Sequence, residues 1–204
     1  MIGFYNYTVW LTYIGMLSSV VGIGFACGGN IIAAVICLMF SGFCDMFDGI
    51  VARTKKDRTD EERRYGIQLD SLSDVVCFGV LPVAIGYNIG ATAWWQVAVM
   101  AAFALAGLIR LAYYNVTEET RQQQTTEKRK HYLGVPITTS ALTVPLLFCF
   151  EKLLGAHFPL AYTLLLLVNG ACFIVPIQVK KPSKTGLAIM LVLGVIFTAC
   201  ILIF

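Results

Sequence analysis

Seven long apolar runs, separated by short or basic connections, constrain this chain more than any other feature. They cover about residues 10–28, 31–53, 66–89, 92–114, 135–154, 157–178 and 186–204. A helix needs roughly 20 apolar residues to cross a bilayer core. The fold class expected is therefore all-α, a polytopic integral membrane helical bundle of six to seven transmembrane helices. The seventh run decides between six and seven, since it either ends outside or folds back. Only 13% of the residues are charged and 58% are hydrophobic, whereas a soluble domain carries about 25% charge. One membrane domain over residues 1–204 is expected. No basic segment followed by a small-residue cleavage site opens the chain, so no cleaved signal peptide is expected.

Charge is distributed unevenly along the connections. Residues 53–65 hold Arg53, Lys55, Lys56, Arg58, Arg63 and Arg64. The stretch from the end of the fourth run to residue 131 holds Arg110, Arg121, Lys128, Arg129 and Lys130, and the last connection holds Lys180, Lys181 and Lys184. Of the 15 Lys and Arg residues, only Lys152 lies elsewhere. In an up-and-down bundle all three connections fall on one side, and the positive-inside rule makes that side the cytoplasm. A cytoplasmic-membrane protein with its polar face inward is the expectation. Thr59 and Glu62 form a capping-box pattern that predicts a short surface helix over 59–65, with Arg58 paired to Glu62. Its basic residues form a rim suited to anionic lipid headgroups. Trp94 and Trp95 fit an interfacial aromatic belt at the opposite side. The seven cysteines form no CxxC and lie in apolar stretches, where they read as small hydrophobes.

Against this background, four carboxylates stand out inside the second and third runs. Asp45 and Asp48 are three residues apart, Asp70 and Asp74 four apart, so each pair occupies one helical face. The two helices run antiparallel through the basic connection. Asp48 and Asp70 lie at matching depth, and Asp45 and Asp74 lie deeper, roughly 12 Å from the rim at 1.5 Å per residue. The four predict one cluster. Nothing basic in these helices lies at that depth, so the like charges repel unless cations neutralise them. All-oxygen ligands without His suit hard ions, Mg²⁺ or Mn²⁺, or Ca²⁺. Four carboxylates exceed what one ion needs, which points to a two-metal site of the kind used in phosphoryl transfer. Ionisable residues inside a membrane are functional by default. Gly49 and Ala52 clear space beside Asp45 and Asp48, and Arg53 stands at the mouth, either as a phosphate ligand or as an interface anchor.

These residues spell a signature. "DMFDGIVAR" and "GIQLDSLSD" resemble D-x2-D-G-x2-A-R followed by G-x3-D-x3-D, the motif of the CDP-alcohol phosphotransferase family of integral membrane enzymes. All eight fixed positions are present: Asp45, Asp48, Gly49, Ala52, Arg53, Gly66, Asp70 and Asp74. The interval between Arg53 and Gly66 is longer than the family's commonest form. "GIQLDSLSDVVCFGVLP", "RLAYYNV", "YLGVP" and "KKPSK" look most like the branch that makes phosphatidylserine. "YYN" stands where that branch has "RFN", which removes an arginine beside Arg110.

The resemblance implies transfer of the phosphatidyl group of CDP-diacylglycerol to L-serine, giving phosphatidylserine and CMP. It assigns Asp45, Asp48, Asp70 and Asp74 to two divalent cations, Mg²⁺ or Mn²⁺, and Asp74 also to the base that takes the serine proton. Asp45, Gly49, Ala52, Arg53 and Gly66 would face the nucleotide. For the acceptor carboxylate or a phosphate, Arg110, Asn115 and Lys184 are the candidates. Membrane lipids are expected as partners and nucleic acid is not; dimers are common in the family. Two rivals remain at this level: the same chemistry on glycerol 3-phosphate or inositol phosphate, and a divalent-cation transporter built on the four aspartates. The transporter reading leaves Gly49, Ala52, Arg53 and Gly66 at their fixed offsets unexplained.

Overall fold

Why the first two helices meet so closely is visible in their residues. In the computed structural model, which describes residues 2–124, 131–180 and 184–203, α1 spans Trp10–Cys27 and α2 spans Ile31–Ala52. Gly15, Ser19, Gly22 and Ala26 form one buried stripe on α1. It faces Cys37, Ser41, Cys44 and Asp48 on α2. A methyl group on Gly15 would lie 3.1 Å from Cβ of Cys44, and one on Gly22 2.8 Å from Cβ of Cys37. Small residues thus let the two backbones approach, as is common between membrane helices. The Ser41 hydroxyl donates to the carbonyl of Gly15 at 2.8 Å and lies 2.8 Å from the Ser19 hydroxyl.

The expected surface helix and third span are one continuous helix, α3, Asp60–Asn88. Thr59 caps it, with its hydroxyl accepting from the Glu62 N–H at 3.1 Å while the Glu62 carboxylate accepts from the Thr59 N–H at 3.0 Å. The expected Arg58–Glu62 side-chain pair does not form. Arg58 lies before the cap, off the helical face, and donates to the Glu62 carbonyl at 3.1 Å instead. Lys55 takes the carboxylate at 2.7 Å, joined by the Asn6 amide at 2.9 Å. Immediately after Asp74 the helix widens into a π-helical stretch, Val75–Val80. Pro82 follows; it lacks an N–H and crowds the carbonyl four residues back, a standard cause of such a break.

Helix α4, Trp94–Gln124, runs ten residues beyond the expected end of the fourth span. Polar helix formers continue it, and Arg121 pairs with Glu118 at 2.6 Å. Trp94 is largely exposed at its start, as an interfacial residue would be. The expected fifth span is shorter than 135–154. A 3₁₀ turn, Ile137–Thr139, leads into α5, Ser140–Phe148, which contains Pro145. A separate turn follows at Glu151–Leu154, and Gly155 at φ +49° redirects the chain into α6, Phe158–Ile174. Helix α7, Lys184–Ile203, closes the bundle with Ile201 as its one buried residue among those described. Among the described residues, six helices (α1 to α4, α6 and α7) are long and apolar enough to cross a bilayer. The chain is an integral membrane protein.

The sequence reading missed a small antiparallel ladder pairing His131–Leu133 with Gln178–Lys180 at the basic end. It is joined to α5 through Gly134, whose φ is +74° and where a methyl group would lie 2.6 Å from the Phe173 carbonyl oxygen. Only glycine fits there. The main core sits between α3, α4, α5 and α6, around Phe78, Phe103, Phe148, Phe158, Tyr162 and Phe173. Tyr162 is buried among them, and its hydroxyl donates to the Pro82 carbonyl at 2.8 Å.

Candidate active site

The α1–α2–α3 seam ends, near the basic end, in a carboxylate cluster. Ligand oxygens from Asp45, Asp70 and Asp74 all lie within 4.8 Å of one another. Asp48 joins them in lining one void. This is the one cluster that the sequence spacing predicts. Asp48 and Asp74 are buried, and Asp45 and Asp70 are partly so. The surrounding void, small at about 10 Å³, is lined also by Thr12, Gly15, Ser41, Ser73, Cys77 and Phe78.

No lysine, arginine or histidine stands among the residues lining that void. Carboxylates packed this closely repel one another, a cation between them relieves that repulsion, and the donors are all hard oxygens. The set therefore fits a divalent cation, and Asp45, Asp70 and Asp74 could hold one. The two nearby thiols do not add to it in an obvious way. Cys77 points its Sγ at the Gly15 carbonyl, 3.7 Å away, and Cys44 packs in the α1–α2 seam.

One contributor was invisible in the sequence. Thr12 on α1 donates from Oγ1 to Oδ2 of Asp48 at 3.0 Å. A threonine inside an apolar run carries no local signal of such a role, because the partner is 36 residues away and reached only by packing. Beneath the cluster, Leu38, Phe78, Leu81 and Ile85 are buried and apolar, and Ser41 is tied to Gly15 and Ser19.

The remaining sequence candidates divide into two groups. Gly49 adjoins the cluster with nothing within 4 Å of where a side chain would begin, and Ala52 follows it on the same face. Arg53 caps α2, exposed at the rim. Gly66 lies one turn before Asp70, and the Arg58 guanidinium lies directly over it, so that a methyl group there would collide with Nη2 of Arg58. Arg58 is thus a second residue at this mouth that the motif does not contain. The acceptor candidates sit apart. Arg110 is buried and donates to the Gly134 carbonyl at 3.4 Å, bracing the turn into α5. Asn115 is hydrogen-bonded to Ser71 at 2.9 Å, one residue from Asp70. Lys184 opens α7, and residues 181–183 of "KKPSK" lie outside the described residues.

Comparison with known proteins gives a consistent result. The CDP-alcohol phosphatidyltransferase family matches residues 5–175. A CDP-diacylglycerol–serine O-phosphatidyltransferase from Saccharomyces cerevisiae is 40% identical over 114 residues, 54% of this chain and 40% of that protein. One from Helicobacter pylori is 34% identical over 145 residues, 69% of this chain and 54% of that protein. An archaetidylserine synthase from Methanothermobacter thermautotrophicus is 30% identical over 143 residues, 68% of this chain and 57% of that protein. The chain spans about half the length of these relatives.

Proposed function

This chain belongs to the CDP-alcohol phosphatidyltransferase family, and on that premise we propose that it transfers the phosphatidyl group of CDP-diacylglycerol to L-serine. The observation that carries the proposal is the four-aspartate cluster on α2 and α3, at the family's own spacing. The serine acceptor is supported by the relatives, two of which are named for serine as acceptor and the third for an archaetidylserine product.

Asp45, Asp48, Asp70 and Asp74 would hold two divalent cations, Mg²⁺ or Mn²⁺. Bound there, these ions would offset the charge of the pyrophosphate and make CMP a better leaving group. Asp74, the deepest of the four with Asp45, is the base that takes the serine hydroxyl proton. The serine oxygen then bonds to the β-phosphorus, and the bond from that phosphorus to the CMP oxygen breaks. Thr12 orients Asp48 through its hydrogen bond. Gly49 and Ala52 leave room for the nucleotide against α2, with Arg53 and Arg58 near its phosphates. The basic end faces the cytoplasm, by the charge asymmetry of the connections. The nucleotide arrives from there, while the acyl chains stay in the bilayer. The apolar packing beneath the cluster favours transfer chemistry over ion transport, since a permeation path would need polar groups there.

The test is CMP release by purified protein given CDP-diacylglycerol and Mn²⁺ or Mg²⁺, with serine, glycerol 3-phosphate and inositol phosphate compared. Release with serine alone, lost in Asp74→Asn, is expected. Release only with a phosphorylated alcohol would move the acceptor assignment, and none with any acceptor would sink the transferase reading.

A further inference from the structure

A second and larger cavity, about 270 Å³, opens between the polar start of α3 and the polar end of α4. The two helices touch at Ser71 and Asn115, which exchange hydrogen bonds of 2.9 and 3.1 Å, and diverge above them. Ser71 follows Asp70 directly, so the floor of this crevice adjoins the carboxylate cluster. One wall carries Arg63 and Arg64 on one turn of α3 and Gln68 on the next, with Asp60 at its top. The other carries Glu118 and Glu119 on α4.

The charges in this crevice are mixed. Two guanidinium groups and Asp60 on one wall face two carboxylates on the other, across a gap large enough for a small solute. Within this lining, Arg63 is paired to Asp60 at 3.1 Å and Glu118 to Arg121 at 2.6 Å. With those two pairs closed, Arg64 and Glu119 are left across the gap, so a doubly negative phosphorylated alcohol meets one cation beside a carboxylate. A molecule bearing one carboxylate and one ammonium finds a partner for each.

We infer that the α3–α4 crevice admits the acceptor, and that it selects a small zwitterionic amino acid over a phosphorylated alcohol. This deepens the phosphatidyl-transfer reading and rests on it. Arg64 meets the carboxylate and Glu119 the ammonium. Arg64 lies six residues before Asp70, about 9 Å along the helix, and side chains on a helix lean toward its N-terminus. Arg64 and Glu119 therefore form the mouth. Gln68 and the Asn115 amide form the inner end, through which the amino acid moves on from the mouth to the cluster. Arg110, braced against Gly134, is left as a positioning residue for the turn into α5.

The experiment uses the full chain in lipid nanodiscs with CDP-diacylglycerol and Mn²⁺. Initial rates of CMP release are followed against serine in wild type, Arg64→Glu, Glu119→Lys and the double variant. Each single inversion is expected to raise KM for serine about tenfold, with KM for CDP-diacylglycerol kept. In Glu119→Lys, glycerol 3-phosphate is expected to become a stronger inhibitor, and the double variant to regain part of the serine affinity. Single inversions that leave KM for serine within about twofold of wild type would overturn the crevice assignment alone. Wild type that releases CMP with glycerol 3-phosphate and not with serine would overturn both readings.

Discussion

Where α1 meets α2 the seam is made of Gly15, Ser19 and Gly22 against Cys37, Ser41 and Cys44, stitched by serine hydroxyls. Where α4 meets α6 it is made of rings. Phe103 and Phe173 pack with centroids 5.5 Å apart, and Phe148 and Phe158 lie edge to face at 4.9 Å in the adjoining α5–α6 contact. Glycine also occurs there: a methyl group on Gly170 would lie 3.2 Å from Cα of Phe103. The first seam tolerates little added bulk and holds backbones close. The second is filled by bulky side chains, each burying a large apolar area. The comparison teaches that the carboxylates are positioned by backbone proximity, while aromatic packing anchors the scaffold behind them. The two regions should therefore fail in different ways.

The largest effect is expected at the cluster itself. Asp74→Asn should lower CMP release by about 10²- to 10⁴-fold, while the protein keeps its thermal stability in chelator. A parallel loss of stability would mean that the carboxylate is structural. Next, Phe148→Ala in the aromatic region should cost about 3–5 kcal/mol of stability by leaving a cavity. Activity per folded molecule should survive, as a thermal melt set beside specific activity would reveal.

Removal of divalent ions should separate the regions from another direction. Wild type saturated at about a hundred times Kd should lose roughly 2.7 kcal/mol of stability on chelation. The Asp45→Asn/Asp74→Asn double variant should lose much less. Equal responses would argue that no ion sits in the cluster. A smaller effect is expected from Thr12→Val, which removes the hydroxyl that holds Asp48. Supporting hydrogen bonds of this kind are worth about 10- to 100-fold in metal affinity or activity. Titration of Mn²⁺ dependence would measure it, and an unchanged curve would leave Thr12 without a role. The smallest change belongs to α7, where Val195 is 71% exposed. Val195→Ala should shift stability by no more than about 0.5 kcal/mol, unless α7 packs against a second copy of the chain.

Much of this was legible in the linear order of residues. Apolar runs of bilayer length announce membrane helices, and a carboxylate pair at helical spacing announces a shared face. The capping box at Thr59 and Glu62 was equally local, and both of its hydrogen bonds are present. The misreadings share a cause. Spacing alone pairs Arg58 with Glu62, yet Lys55 reaches that carboxylate from the connector. Hydropathy carries the fifth span on through Pro145 and Phe150, because it does not register a break in the backbone. The ladder of His131–Leu133 with Gln178–Lys180 pairs segments nearly fifty residues apart, and neither has a strand pattern long enough to read.

By itself, then, the sequence determined the helical membrane class, the polarity of the connections and the four aspartates, because these depend on solvent transfer and helical period. Only the tertiary structure decided that Thr12 supports Asp48, that Arg58 lies over Gly66 and that Arg110 braces Gly134. It also decided that α3 and α4 diverge above Ser71 and Asn115 to leave a charged crevice. These are contacts between residues distant in the chain. Their existence depends on how closely neighbouring helices approach, which is set by the side chains of both partners together and not by the pattern of either one.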